Sequence, residues 1–175
     1  MPKSQKRVEF KTTLTRSPTD SGWHFLIVKK EIVAKFGFEG KFKRVVCSIN
    51  GVEGFQCALL PSGDLFYIIV NKKKRDSIGI VAGDTVKVEL VKDESKYGLP
   101  MPEELEEVLK QDADGDCLFH ALSPGKQRSL IYLISNVSDI DKRIHVALLV
   151  VAHLKENGGK IIDELLYQET KRPIF

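Results

Sequence analysis

Three carboxylates at alternate positions, Asp112, Asp114 and Asp116, with Gly115 among them, carry the most metal-like spacing in this 175-residue chain. A calcium loop of the EF-hand type needs glycine at its sixth position and a bidentate glutamate at its twelfth. Counted from Asp112, those positions hold Cys117 and Ser123, so the pattern fails twice. Carboxylates crowding the start of a helix, where the macrodipole favours them, account for the triplet better. Ser123-Pro124-Gly125-Lys126 has the S-x-x-K form of penicillin-recognising enzymes. That chemistry also needs S-D-N and K-T-G elements, which are absent. Proline at the first helical position instead makes Ser123 an N-cap.

Four histidines, His24, His120, His145 and His153, stand apart in sequence. His145 and His153 are two helical turns apart, too far to share a metal without a third ligand, and read as surface or half-buried side chains. Cys47, Cys57 and Cys117 fit neither a metal site nor a disulfide framework and read as small buried residues, with Cys47 and Cys57 approaching across a hairpin. There is no P-loop, G-x-G-x-x-G or G-x-S-x-G. The expectation is therefore a non-enzyme with no catalytic residue, no metal site and no cofactor.

Cations are the remaining chemistry. Asn71-Lys72-Lys73-Lys74-Arg75 precedes a strand, and Lys126, Arg128, Lys142 and Arg143 follow a helix start. Lys72, Lys73, Arg75, Lys126, Arg128, Lys142 and Arg143 are the candidate anion-binding set. Gathered in a groove between the chain's two halves, they would suit phosphate or a nucleic-acid backbone. The charge is split. Residues 1–96 carry 18 Lys+Arg against 11 Asp+Glu, and residues 97–175 carry 9 against 13. Lysines on a solvated sheet face explain the basic half better, because no stacking aromatic motif is interleaved with them.

The elements that must carry these residues follow from periodicity. Val8–Thr15 and Trp23–Val28 alternate as strands, and Lys29–Phe36 has helical spacing ending at Gly37. Phe42–Ile49, Phe55–Leu60 and Leu65–Val70 read as three more strands. The last is near-continuously apolar, as for a central strand. A basic helix over Asn71–Ile78 leads into Gly83-Asp84, a turn whose carboxylate can accept backbone N–H groups. The strand Thr85–Val91 then places Val86, Val88 and Leu90 on one face. About six strands and two short helices within residues 1–96 predict a small β-barrel.

Beyond Lys96 the pattern is helical. Pro100 and Pro102 mark a linker; helices follow from Glu103, over Asp112–Leu122, from Ser123-Pro124 to Val137, and from Asp139 or Ser138 to Glu156, with a last piece over Ile161–Gln168. In the long helix Ile144, Ala147, Leu148, Val151 and Leu154 form the apolar stripe. Residues 97–175 thus read as an appendage packed on the barrel. No apolar run could span a bilayer, and Met1–Arg7 lacks the apolar core of a signal peptide, so the expected location is the cytoplasm.

The order of several short motifs resembles a known family. In the barrel these are Trp23, Val28 to Phe36-Gly37, Lys43-Arg44-Val45, Ser48-Ile49-Asn50-Gly51, Pro61-Ser62-Gly63, Val70-Asn71-Lys72, Gly83-Asp84-Thr85-Val86 and Pro100. In the tail they are Leu105, Leu109, Phe119, Leu122 through Arg128, Ile134 and Arg143-Ile144. Together they resemble the bacterial YdeI/OmpD-associated, bacteriocin-protection-like family with its small N-terminal domain of unknown function. The resemblance implies a double-split, AbrB-like closed barrel followed by helices. Barrels of the AbrB and MazE type bind DNA as swapped homodimers, whereas this family has no established reaction. Its members carry a basic cluster after the Ser-Pro helix. Here Ser135–Ser138 and Asp139–Asp141 occupy that region, and only Lys142 and Arg143 remain. The functional expectation is a binding or interaction module with a polyanion or protein partner. A DNA-binding barrel is the first alternative, and an enzyme without recognisable motifs the second.

Overall fold

The computed structural model describes residues 5–19, 21–40 and 43–172. The chain divides into two compact units, Met1–Glu94 and Ser95–Phe175.

The first unit is an antiparallel, nearly closed β-barrel. Its strands are β1 (Arg7–Arg16), β2 (His24–Lys29), β3 (Arg44–Ile49), β4 (Phe55–Ala58), β5 (Leu60–Ser62), β6 (Leu65–Ile69) and β7 (Thr85–Lys92). Helix α1 (Lys30–Ala34) follows β2, and α2 (Lys72–Ile78) follows β6. The strand order is β4-β3-β7-β1-β2-β6-β5. The long first strand serves two partners. Arg7–Thr13 pairs with β7 and Leu14–Arg16 with β2. Gly83-Asp84 sits at this change of partner. Leu14 donates its N–H to the Asp84 carbonyl at 2.9 Å, and Gly83 donates to the Leu14 carbonyl at 2.8 Å. The Asp84 carboxylate accepts from Val81 N–H at 2.9 Å, which shapes the turn. Gly83 has φ of 97°, a conformation that a side chain would strain. Alternation in β7 holds as the pattern predicts: Val86, Val88 and Leu90 are buried, and Thr85 and Lys87 face out.

Two expectations are corrected. The single strand expected over Phe55–Leu60 is two strands: β4 pairs with β3, and β5 pairs with β6. At the break, Leu59 is buried and donates to the Lys43 carbonyl at 2.8 Å, so the chain passes between the two halves of the barrel without losing a hydrogen bond. The apolar run of β6 is not buried on both faces. Ile68 and Val70 enter the core, whereas Leu65 is 41 % exposed and Tyr67 and Ile69 line an outer concavity. The Phe42 end of the expected third strand lies outside the described residues.

The second unit contains α3 (Glu103–Gln111), α4 (Ala113–Ala121), α5 (Pro124–Ser135), α6 (Ile140–Glu156) and α7 (Asp163–Thr170). Caps follow the sequence closely. Asp112 accepts from Gly115 N–H at 2.9 Å, Ser123 from Lys126 N–H at 3.4 Å and Asp139 from Lys142 N–H at 2.9 Å. Gln127 extends its amide to the carbonyls of Phe119, His120 and Leu122, closing the end of α4. Gly115 is buried against Val151 of α6, where a Cβ would collide with the valine side chain. The core gathers Leu105, Phe119, Ile131, Ile134, Val150 and Leu154.

The stripe of α6 differs from expectation. Ala147, Val151 and Leu154 are buried, but Ile144 and Leu148 are 40 % and 52 % exposed. The helix is apolar on more than its core face.

Replacing Asp84 with alanine leaves the Val81 N–H without its acceptor and loosens the turn that clasps β1. The expected cost is about 1 kcal/mol, measured as a lower urea midpoint at unchanged slope. An unchanged midpoint would mean that the backbone bonds to Leu14 hold the turn alone.

Candidate functional site

The seven nominated cations fall in different local settings. Asn71 caps α2 by accepting from Lys74 N–H at 2.9 Å, and Gly79 ends the helix in the left-handed conformation. Within that turn Lys72 bonds Asp76 at 2.8 Å, and Arg75 donates to the Val70 carbonyl at 2.7 Å, pinning the helix to the end of β6. The Lys72 ammonium holds the Asp76 carboxyl below its ordinary range. Lys74 lies 4.1 Å from the centre of the Phe55 ring. Lys73 is exposed.

In the helical unit Arg143 is structural. Its guanidinium reaches the Val137 carbonyl at 2.8 Å, the Ser138 carbonyl at 3.2 Å and the Glu104 carboxylate at 2.9 Å, tying the α5–α6 loop to α3. Lys126 and Lys142 are exposed, and Arg128 is half-buried. Arg75 and Arg143 are therefore spent on backbone carbonyls, while Lys73, Lys126, Arg128 and Lys142 have no ion pair among the described residues.

The histidines and cysteines correct the sequence reading. His153 is neither on the surface nor half-exposed; it is 1 % exposed. Its Nε2 accepts from Ile162 N–H at 3.0 Å, so its Nδ1 carries the proton and donates to the buried Glu169 carboxylate at 2.9 Å. Both ring nitrogens are occupied, which leaves none for a metal or a substrate. His120 bridges the Tyr97 hydroxyl, at 2.8 Å, and the Asp116 carbonyl, at 3.0 Å. The i, i+4 spacing of Asp116 and His120 was visible in the sequence; Tyr97, 23 positions upstream, was not.

Only Cys47 of the three cysteines is buried; Cys57 is half-buried and Cys117 exposed. The first two approach as expected, since Val45 faces Cys57 and Cys47 faces Phe55. A hydrogen bond with the Cys57 thiol, reinforced by burial, pushes the Cys47 thiol far above its ordinary range. A thiol held protonated in this way is a poor nucleophile.

Two concave surfaces emerge that the sequence reading did not name. On the barrel, the outward residues of β2 and β6 form a concavity of about 620 Å³ lined by Trp23, Phe25, Ile27, Leu65, Tyr67 and Ile69. Phe25 and Tyr67 meet edge to face, with ring centres 5.9 Å apart. Ser17, Thr19 and Ser21 form its hydroxyl rim, linked by bonds of 2.9 and 2.6 Å. Trp23, the chain's single tryptophan, is 54 % exposed. The signal was present: Trp23, Phe25 and Ile27 alternate with Leu26 and Val28, but alternation alone does not say that both faces of the strand are apolar for different reasons.

On the helical unit, α3 and α6 flank a groove of about 950 Å³. Asp112 and Lys155 close one end of it with a 2.9 Å bond. Gly115 N–H first, and Lys155 second, hold the Asp112 carboxyl below its ordinary range, and Asp112 in turn raises Lys155. The three aspartates once compared with a calcium loop thus serve as the cap and first turn of α4.

The described geometry defines a class: an antiparallel barrel followed by a unit of five helices. Residues 10–90, from within β1 to within β7, match the model of a family described as a domain of unknown function (DUF1905). No curated protein matches the chain. No helix among the described residues is long and apolar enough to cross a membrane.

His153→Ala strands the Glu169 carboxylate in the interior and removes the acceptor of the Ile162 N–H. The expected loss is about 3–5 kcal/mol, seen as early melting of the helical unit. A change below about 1 kcal/mol would show that water reaches the pair. Asp112→Ala removes the α4 cap and lowers the melting temperature of the helical unit. The carboxyl is lowered in the folded state, so its contribution is complete above the ordinary Asp range and disappears as pH falls through the lowered value. The wild type and Asp112→Ala should therefore converge in stability in acid; a constant difference down to the lowest pH would refute the charge-based cap.

Proposed function

We propose that this protein is a non-catalytic binding module and that the outer face of β2 and β6 is its recognition surface. The observation that carries the reading is the cluster of Trp23, Phe25, Ile27, Leu65 and Tyr67 on the solvent side of an antiparallel sheet. The outer face of such a sheet is ordinarily polar. Contiguous apolar patches on a soluble surface mark contact sites, and tryptophan and tyrosine are enriched where contacts are strongest. The concavity is lined by aromatic, aliphatic and hydroxyl side chains, with no ionisable acid–base pair to drive turnover. The motif order of the tail supports placing the chain beside the YdeI/OmpD-associated proteins, as a cytoplasmic member with an AbrB-like barrel.

A second reading, polyanion binding by a DNA-binding barrel of AbrB type, rests on Lys73, Lys126, Arg128 and Lys142, the nominated cations with neither an ion pair nor a side-chain bond to a backbone carbonyl among the described residues. It requires a steep salt dependence and, by the AbrB comparison, a homodimer.

The amphiphilic dye 1-anilinonaphthalene-8-sulfonate, whose aromatic body seeks apolar surface, tests the first reading. The folded protein should bind it with energy transfer from Trp23. Leu65→Ser combined with Tyr67→Ser should abolish the transfer while leaving the melting temperature within a few degrees. Absence of dye binding by the native protein would sink the proposal. For the second reading, reversing Lys73, Lys126, Arg128 and Lys142 to glutamate should weaken binding to heparin or duplex DNA and flatten its salt slope. A monomer with no salt-dependent binding would exclude it.

A further inference from the structure

The groove between α3 and α6 has a construction of its own. Ile140, Ile144 and Leu148 recur every four residues along α6, one above another on a single face. They are 62, 40 and 52 % exposed. From Ile140 to Ala152 the row spans about 18 Å at the helical rise. Val108 of α3 and Val151 and Ala152 of α6 complete the apolar floor.

The rim is acidic. Glu103, Glu104, Glu107, Asp112 and Glu156 line the groove against one cation, Lys155. Two of these carboxylates are already neutralised, Glu104 by Arg143 and Asp112 by Lys155, each at 2.9 Å. Glu107 accepts from the Gln111 amide at 2.7 Å, and Glu103 and Glu156 are exposed with no ion pair among the described residues.

We propose that this groove binds an amphipathic helix of another protein, apolar on one face and rich in Lys and Arg along its flanks. Grooves between packed helices accept such helices through anchors spaced three and four residues apart. The exposed row supplies complementary anchors for about three turns. Charge decides the occupant. Glu103 and Glu107 on α3 and Glu156 on α6 flank the floor and match a basic helix. A second copy seated symmetrically on the same face would bring these carboxylates against their own counterparts, a repulsive arrangement. An anionic membrane surface is disfavoured for the same reason.

The test uses the full chain and three labelled 18-residue peptides. One is an amphipathic helix with leucines at positions i, i+3, i+4 and i+7 and lysines elsewhere. The second replaces every lysine by glutamate, and the third scrambles the first. Fluorescence anisotropy should show saturable binding of the lysine peptide, weakening as salt rises, with at least tenfold lower affinity for the other two. Leu148→Glu, an exposed position that should fold normally, should weaken binding at least tenfold. Glu103→Lys with Glu107→Lys and Glu156→Lys should reverse the preference toward the glutamate peptide, an outcome that misfolding cannot produce. Equal binding of the lysine and scrambled peptides, or wild-type affinity in both variants, would overturn the proposal. So would a dimer in sedimentation that Leu148→Glu dissociates, since the face would then be a self-interface.

Discussion

The barrel depends on one reciprocal backbone clasp. Leu14 and the Gly83-Asp84 turn exchange two hydrogen bonds at the point where β1 leaves β7 and joins β2. A strand that changes partner would otherwise leave N–H and C=O groups unpaired beside the core. The turn fills that gap with its own backbone, and Gly83 supplies the positive φ of 97° that the turn requires. Leu59 does the equivalent work between β4 and β5. With both transitions satisfied, Val8, Leu26, Val45, Ile68 and Leu90 can close around one interior.

The helical unit is held differently. Its apolar core is conventional, but its geometry is specified by buried or half-buried polar groups with several partners each. His153 joins α6 to Glu169 of α7 and to the Ile162 backbone. Gln127 ties α5 to the end of α4, and Arg143 ties the α5–α6 loop to α3. Such groups are costly when half satisfied, so they favour one arrangement of helices over its near neighbours. The same arrangement leaves α3 and α6 side by side with an unfilled apolar floor between acidic ridges.

These demands account for several of the cations one by one. Arg75 and Arg143 resemble ligand-binding groups in sequence, yet both satisfy backbone carbonyls at the ends of secondary elements. Lys74 covers Phe55, and Lys72 is held by Asp76. In these four residues positive charge serves local structure. The surfaces with an unmet physical need are apolar ones, and burial of apolar area is the dominant favourable term in association.

Local patterns were legible in the sequence because they depend on neighbours a few residues apart. The alternation of β7, the caps Ser123 and Asp139, the left-handed Gly83 and the division into a strand-rich and a helix-rich half all follow from short-range spacing. What depended on distant partners was not. Periodicity marks Ile144 and Leu148 as apolar but cannot tell whether another helix covers them. The pairing of His153 with Glu169, separated by 16 positions, turned a presumed surface histidine into a buried one. The split of one apolar run into β4 and β5 required β3 and β6 to compete for it. Sequence by itself determined most of the elements and several of their caps, because those energies are local; only the tertiary structure decided where a strand divides and which apolar faces are buried, because both are properties of the neighbours an element finds.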